Sequence, residues 1–188
     1  MEQIVKAIAT ASVTCQAANA LIEAAMKASR DMGFDAAVAV TDATGHLRAF
    51  QRADGAPFFT AEVAVSKAWT AASCGIPTHV WNDYLADPKL APLANVQKLM
   101  AVGGGLPLFH EKKLIGGIGV SGGSHEQDRQ AATTALDCVG FQIEGNEPNV
   151  RFLVAGLAYL PLNGASYARR AETPFRLREL SRLRSCPS

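Results

Sequence analysis

Lys67 is a charged residue in the middle of a helical pattern of small apolar residues, AEVAVSKAWTAASC. Its aliphatic stem can pack among these neighbours while its ammonium reaches an anion, such as a carboxylate or a propionate. The same pattern is typical of a lysine that extends to solvent or pairs with Asp54 or Glu62, and the sequence leaves both interpretations open. We expect a partly exposed position, which would tolerate alanine well.

Two further groups could contact a ligand. Arg52 and Asp54 flank a glycine loop, where they form either an ion pair or turn cap, or the charged lining of a binding site. Gly103, Gly104 and Gly105 would let the backbone approach a flat ligand closely, or they only turn a tight corner.

The histidines and cysteines do not show metal-binding spacings. No pair of histidines has H-x-x-x-H or another chelating spacing, and no C-x-x-C is present. We predict solvent-exposed polar side chains at the four histidines, His46, His79, His110 and His125. We also predict buried thiols at the scattered cysteines, and no metal site.

The stretch LIGGIGVSGGSHEQD, residues 114–128, places paired glycines between an apolar run and a charged run. It lacks the Lys-Ser or Lys-Thr pair of a P-loop, and Gly117 and Gly119 fall inside the predicted strand rather than at a Rossmann turn. Ser121 stands in a G-x-S-x-G pattern, but no histidine follows His125 to complete a triad in that order. The stretch therefore predicts a strand-to-helix corner.

Hydrophobic periodicity predicts the elements that position these residues. Apolar spacing of three and four residues marks a helix over residues 12–32, which Gly33 ends. Two short strands joined by the turn ATGH form a hairpin. A second helix over residues 60–74 follows, with Thr60 as its N-cap. Residues 75–98 contain three prolines and predict an irregular segment with one or two helical turns.

The second half of the chain adds another strand region and a closing helix. Residues 99–121 contain three apolar runs, LMAV, LPLF and LIGGIGVS. Ser124 can cap the last helix, with Gln127 three residues on as in a capping box. The order α-β-β-α-β-β-β-α, with hairpins that require antiparallel pairing, predicts an α+β sandwich with a mainly antiparallel five-stranded sheet and flanking helices.

Composition and charge indicate one folded domain with a distinct extension. Of the 188 residues 48% are hydrophobic, which suits one buried core. Eleven basic and fifteen acidic residues give residues 1–148 a net charge of −4, whereas seven arginines and two acidic residues give residues 149–188 a net charge of +5. We predict a domain over 1–148 and an Arg-rich extension over 149–188, whose short Lys/Arg runs disfavour nucleic-acid binding.

The N-terminal residues lack a basic n-region and an uninterrupted apolar run, and no stretch of the sequence is apolar for long enough to span a membrane. We therefore expect no signal peptide, no contact with a membrane and a cytoplasmic location.

Four blocks of the sequence resemble the GlcG/HbpS family, which includes the C-terminal-type domain of the PduO corrinoid adenosyltransferases. In order they are AVTDATGHLRAFQRADGA, VSKAWTAA, GGGLPLF and LIGGIGVSGGSHEQDRQAA. The resemblance covers about residues 10–143 and leaves residues 149–188 outside. It implies a profilin-like sandwich, homo-oligomers and, in several relatives, haem binding. Other relatives belong to catabolic pathways without an agreed activity.

Together these observations lead to one functional hypothesis. We expect a homo-oligomer, accessory to a catabolic pathway, that binds a planar or carboxylate-bearing small molecule between the GGGLPL corner and the helix over residues 60–74. Haem is the first expected ligand and a corrinoid the second. The expected ligand-binding residues are Lys67, Arg52, Asp54, Gly103, Gly104, Gly105 and Pro107.

Two alternatives remain open at this stage. One is a cofactor-independent enzyme acting on a small carboxylate or aromatic compound, with Lys67 holding a carboxylate and Asp54 or Glu126 acting as acid or base. The other is a non-catalytic accessory protein that acts through its subunit interfaces.

Overall fold

The computed structural model of the protein describes residues 6–141. They lie within the first of two units into which the chain divides, Met1–Val150 and Arg151–Ser188. The helices are α1 (Cys15–Asp31), α2 (Phe59–Cys74), α3 (Thr78–Leu85) and α4 (His125–Val139), with a 3-10 helix at Ala91–Asn95. The strands are β1 (Ala37–Asp42), β2 (Leu47–Arg52), β3 (Gly105–His110) and β4 (Lys113–Ser121). The predicted extension over residues 149–188 lies outside the described residues.

The described strands form one antiparallel sheet in the order β2-β1-β4-β3. The predicted α+β class and antiparallel pairing are confirmed, but the predicted count of five strands is wrong because residues 99–102, LMAV, form no strand. The backbone at residues 98–100 forms hydrogen bonds with α2 instead. The Thr70 hydroxyl accepts from the Met100 N–H at 2.9 Å and donates to the Lys98 carbonyl at 3.0 Å.

Helices cover both faces of the sheet. On one face, Ala64 and Ala68 of α2 pack against Ala37 and Ala39 of β1. On the other face, α1 and α4 pack over the alternate residues of the strands, which include Val38, Val40, Leu106, Leu108, Ile118 and Val120. This alternation follows the two-residue period of a strand. Among the described helices, none combines the length and apolar character needed to cross a membrane.

The glycines of β4 let α2 approach the sheet closely. A Cβ atom at Gly117 would overlap the carbonyl oxygen of Ala68, and a Cβ atom at Gly119 would overlap that of Ala64. The backbones of helix and strand are therefore in direct contact. This packing gives a physical reason for glycines inside a strand, and the sequence interpretation that placed them there is confirmed.

Most predicted helix ends agree with the structure, and two differ. The capping box of α4 is present, with Ser124 and Gln127 bonded reciprocally. Helix α1 begins later than residue 12, because the Thr14 hydroxyl caps it by accepting from the Ala17 N–H at 3.2 Å. Thr60 does not cap α2: its hydroxyl donates to the Pro57 carbonyl at 2.6 Å from inside the helix.

Candidate functional site

Lys67 is buried, with only 1% of its surface exposed, which corrects the prediction of a partly exposed helix position. Its Nζ lies 2.7 Å from Oδ2 of Asp128 and donates to the Val120 carbonyl at 2.8 Å. The lysine therefore neither extends to solvent nor pairs with Asp54 or Glu62. It spans from α2 to the end of β4 and the start of α4.

Asp128 lies in the first turn of α4, where the N–H groups of the helix end favour a carboxylate. Its Oδ1 also accepts from the Gly123 N–H at 2.9 Å. Burial lowers the pKa of the Lys67 ammonium and raises the pKa of the Asp128 carboxyl from their ordinary values, while the attraction between the two charges opposes both shifts. The Lys67–Asp128 ion pair thus holds the corner before α4 in place from the protein interior.

The glycine corner, Gly103–Gly105, packs directly onto this ion pair. Gly104 has a φ of +116°, and a Cβ atom there would lie 2.7 Å from the Asp128 Cβ and 2.9 Å from the Lys67 Nζ. The corner and α2 are therefore in contact at these glycines, and the predicted pocket between them stays a prediction. The glycines do allow a close backbone approach, but it is an approach to protein atoms.

Arg52 and Asp54 lie on the exposed surface at the end of β2. No ion pair joins them within the described part of the chain, so the ion-pair interpretation is wrong there. Both charges are open to a ligand, and their role in binding stays a prediction. The enzyme alternative is weakened, because Asp54 and Glu126 are exposed whereas the ammonium that was to hold a carboxylate is buried against Asp128.

Pro107 is the predicted site residue that lines a cavity. This cavity, here called the β3 cavity, has a volume of about 300 Å³ and lies at the outer edge of β3. Its lining comes from α3 and the residue before it, from β3 and from α4: Pro77, His79, Leu106, Pro107, Arg129, Gln130, Thr133 and Leu136. An edge strand tolerates proline because the missing N–H does not break a ladder.

His79 and Arg129 are functional candidates that the sequence interpretation missed. Arg129 is exposed, whereas His79 is half-buried and its Nδ1 is buried without a hydrogen-bond partner among the described residues. Burial and the positive charge of Arg129 lower the pKa of His79 from its ordinary value, and the negative charge of Asp83 only partly opposes this shift. The available signal was Pro77, since a proline just before a helix places the following residues in its first turn.

The remaining histidines and the cysteines divide between confirmed and corrected predictions. His46, His110 and His125 are exposed, as predicted. Cys15 and Cys138 are exposed rather than buried, because they lie on outward-facing positions of α1 and α4. Within residues 6–141, no three His, Cys, Asp or Glu side chains gather in a way that could hold a metal ion.

Comparison with known proteins gives a family match over most of the described region. A family model described as "Haem degrading protein HbpS-like" matches residues 13–137. An uncharacterized 15.0 kDa protein in the dhaT-dhaS intergenic region of Citrobacter freundii is 35% identical over 131 residues, which cover 68% of this chain and 92% of that protein.

Two further similar proteins carry names that state a reaction or a ligand. The corrinoid adenosyltransferase PduO of Salmonella typhimurium strain LT2 is 34% identical over 123 residues, which cover 63% of this chain but only 36% of PduO. The crystal structure of a PduOC:haem complex superposes with a TM-score of 0.67 at 31% identity, covering 71% of this chain and 99% of that one. The span matched by the family model contains the Lys67–Asp128 pair and every residue that lines the β3 cavity.

Proposed function

Because the chain belongs to the HbpS-like family, as its resemblance to GlcG and HbpS predicted, we propose that it binds haem or another planar or carboxylate-bearing small molecule. The likeness to the PduOC:haem complex carries this proposal, since it extends over nearly the whole of that chain. A corrinoid is the second candidate, because PduO is a corrinoid adenosyltransferase. The corresponding role is accessory to a catabolic pathway.

The β3 cavity does not fit a whole haem. A volume of about 300 Å³ corresponds to about ten water molecules at about 30 Å³ each, and a porphyrin has several times as many non-hydrogen atoms. The macrocycle would therefore lie on the surface of the described domain rather than inside this cavity.

The stretch from β2 to the start of α2, residues 47–59, has the features of such a surface. Leu47 and Phe50 of β2 and Phe58 and Phe59 at the start of α2 are large apolar side chains that are 42–81% exposed. Exposed apolar groups of this size mark interaction surfaces. Arg52 lies in the same stretch with an uncommitted guanidinium, which can pair with a propionate. We propose that a second copy of the chain and the ligand share this surface in a homo-oligomer.

Titration of the full chain with haemin tests the ligand. We expect a saturable Soret band with about one site per chain, and broad, non-saturating absorbance would contradict haem binding. Iron-free protoporphyrin IX separates recognition of the planar ring from ligation of the iron, and cobalamin tests the corrinoid. Because the family model is described as haem degrading, the loaded protein should also be followed over time with and without a reductant in air.

A pair of arginine variants tests the surface. Arg52→Gln should weaken haemin binding by about 1–3 kcal/mol through the lost charge-assisted bond. Arg30→Gln is the matched control, because Arg30 is exposed on α1 and lies outside residues 47–59. Equal haemin affinity in wild type and Arg52→Gln would remove Arg52 from the site.

A further inference from the structure

The β3 cavity is amphipathic, which distinguishes it from the closed region around Lys67. Its apolar lining consists of Pro77, Leu106, Pro107 and Leu136. Its polar lining consists of His79, Arg129, Gln130 and Thr133. Arg129, Thr133 and Leu136 are spaced at i, i+4 and i+7, so they share one face of α4. A ligand with one polar and one apolar end would match this mixed lining.

Arg129 gives the polar lining a positive charge. Within residues 6–141 no carboxylate forms an ion pair with this side chain. A guanidinium presents planar N–H donors in a geometry that matches the two oxygens of a carboxylate. The charge of the cavity therefore favours an anion, and the geometry of its donors favours a carboxylate.

His79 adds a neutral polar group to this lining. Because its pKa is lowered by burial and by Arg129, the imidazole is uncharged at neutral pH and offers one donor and one acceptor. Its buried Nδ1 has no partner among the described residues, and a buried polar atom without a partner is unfavourable. A bound polar molecule would supply that partner.

The volume limits the size of the ligand. About 300 Å³ is at the lower end of the range for small-molecule sites, which is roughly 300–1,000 Å³. At about 30 Å³ for each water-sized group, the cavity holds on the order of ten non-hydrogen atoms. This suits a short-chain or single-ring carboxylate and excludes a complete porphyrin.

We propose that the β3 cavity binds a small organic carboxylate, with the carboxylate on Arg129 and Thr133 and the carbon skeleton between Pro77, Pro107 and Leu136. This site is separate from the surface of residues 47–59 proposed for haem. The two proposals therefore stand or fall independently.

Calorimetric titration of the full chain with benzoate and with benzamide tests this site. The two probes have nearly the same shape, but only benzoate carries a charge. We expect saturable benzoate binding and about tenfold weaker benzamide binding, which corresponds to about 1.4 kcal/mol. Inorganic phosphate should not bind, because it has no carbon skeleton to contact the apolar lining residues.

Two cavity variants and one control variant locate the binding. Arg129→Gln should abolish the preference for benzoate over benzamide, whereas Arg30→Gln, at an exposed arginine of α1, should leave it unchanged. Thr133→Phe should fill the cavity and weaken both ligands. Far-UV circular dichroism and thermal unfolding establish that each variant is folded.

The pH dependence of benzoate affinity tests the part played by His79. Asp83 on α3 and Arg129 on α4 are the charged groups that act on its imidazole. A bound carboxylate offsets the charge of Arg129, so binding raises the pKa of His79 and is linked to proton uptake. The pKa of His79 in the free protein lies below its ordinary value, so benzoate affinity should increase in wild type as the pH falls from about 7 to about 5, and this increase should disappear in His79→Gln.

Three results would overturn the proposal: no saturable benzoate binding at about 10 mM ligand, equal affinities for benzoate and benzamide, or unchanged benzoate affinity in Arg129→Gln. A protein that binds benzoate but not haemin would support the β3 cavity and contradict the haem ligand. The reverse result would contradict the β3 cavity alone.

Discussion

The Lys67–Asp128 ion pair joins α2 to the start of α4 in the protein interior. Removing one partner of a buried pair leaves an uncompensated charge and costs about 3–5 kcal/mol. Lys67→Met keeps most of the stem volume, so we expect the free energy of unfolding to fall by about this amount. Asp128→Leu should have a similar effect, and the double variant should recover a large part of the loss.

Denaturant unfolding of the four proteins, analysed as a double-mutant cycle, measures this coupling. If the losses of the single variants simply add in the double variant, the two side chains are not coupled. This prediction replaces the expectation from sequence that alanine is well tolerated at Lys67, because the side chain is only 1% exposed.

Gly104 allows a second prediction, about the backbone that packs on the Lys67–Asp128 ion pair. An alanine there would be strained by the positive φ and would also place its Cβ 2.6 Å from the Val120 carbonyl oxygen. Gly33→Ala is a matched control, because Gly33 has a φ of +79° but a Cβ atom there would meet no other atom within 4 Å. The control should lose only about 1–2 kcal/mol, and Gly104→Ala should lose about 1–3 kcal/mol more through overlap.

Thermal unfolding of both glycine variants gives the comparison. Equal losses at Gly33 and Gly104 would mean that the corner relaxes freely and does not clamp the ion pair.

Sequence patterns identify Lys67 but not its partner. The two side chains are 61 residues apart in the chain, and helical periodicity reports only on neighbours three or four residues away. The sequence places Asp128 in a first helical turn, where the helix dipole favours it, which is correct locally but does not reveal the lysine. Sequence patterns do not reveal the burial of His79 for the same reason, because this burial depends on the packing of α3 beside β3 and α4.

At the scale of elements, the start of α4 matters beyond its own stability. Ser124→Ala removes the capping box and should cost about 0.5–2 kcal/mol. Thr14→Ala at α1 is the matched control, because Thr14 accepts one N–H at the same distance of 3.2 Å but has no reciprocal partner. Ser124→Ala should be the more destabilising of the two, because fraying of α4 reaches Asp128 one turn later.

Chemical denaturation of both cap variants measures the difference. A larger loss for Thr14→Ala would show that the α4 cap is not coupled to the buried pair.

The elements with strong local signals were predictable, and those fixed by distant contacts were not. The hairpin around Gly45, which has a φ of +82°, and the cap of α4 follow from residues close in sequence. Residues 99–102 have the apolar composition of a strand, yet two of their backbone groups bond to distant side chains: the Met100 N–H donates to the Thr70 hydroxyl and the Val102 carbonyl accepts from the Thr78 hydroxyl. Composition alone could not distinguish these outcomes.

At the scale of the whole molecule, we predict that a chain ending at Gly145 folds. Every helix and strand of the described residues ends before that point, and the core is formed by these elements. Scanning calorimetry should show a cooperative transition, with the full chain as control and with altered assembly or solubility as the main effect. Loss of the cooperative transition would make the following residues part of the core.

The family was predictable because four separated blocks resemble it in order, and the matching family model confirms it. The site was less predictable. The resemblance predicts the fold, whereas the lining of the cavity depends on the particular side chains of α3 and α4. Pro107 is shared by the expected set and the β3 cavity, whereas Arg129 belongs only to the latter.

The glycines of β4 also have a consequence for how the native protein opens. Glycine has the largest backbone entropy to lose and no side chain to hold a strand in place, so β4 depends on the contact with α2 to stay ordered. Because β4 lies between β1 and β3, undocking of α2 would loosen the hydrogen bonds on both sides of it together. Helix and strand should therefore open as one cooperative unit, and amide hydrogen exchange along β4 would measure the free energy of releasing α2.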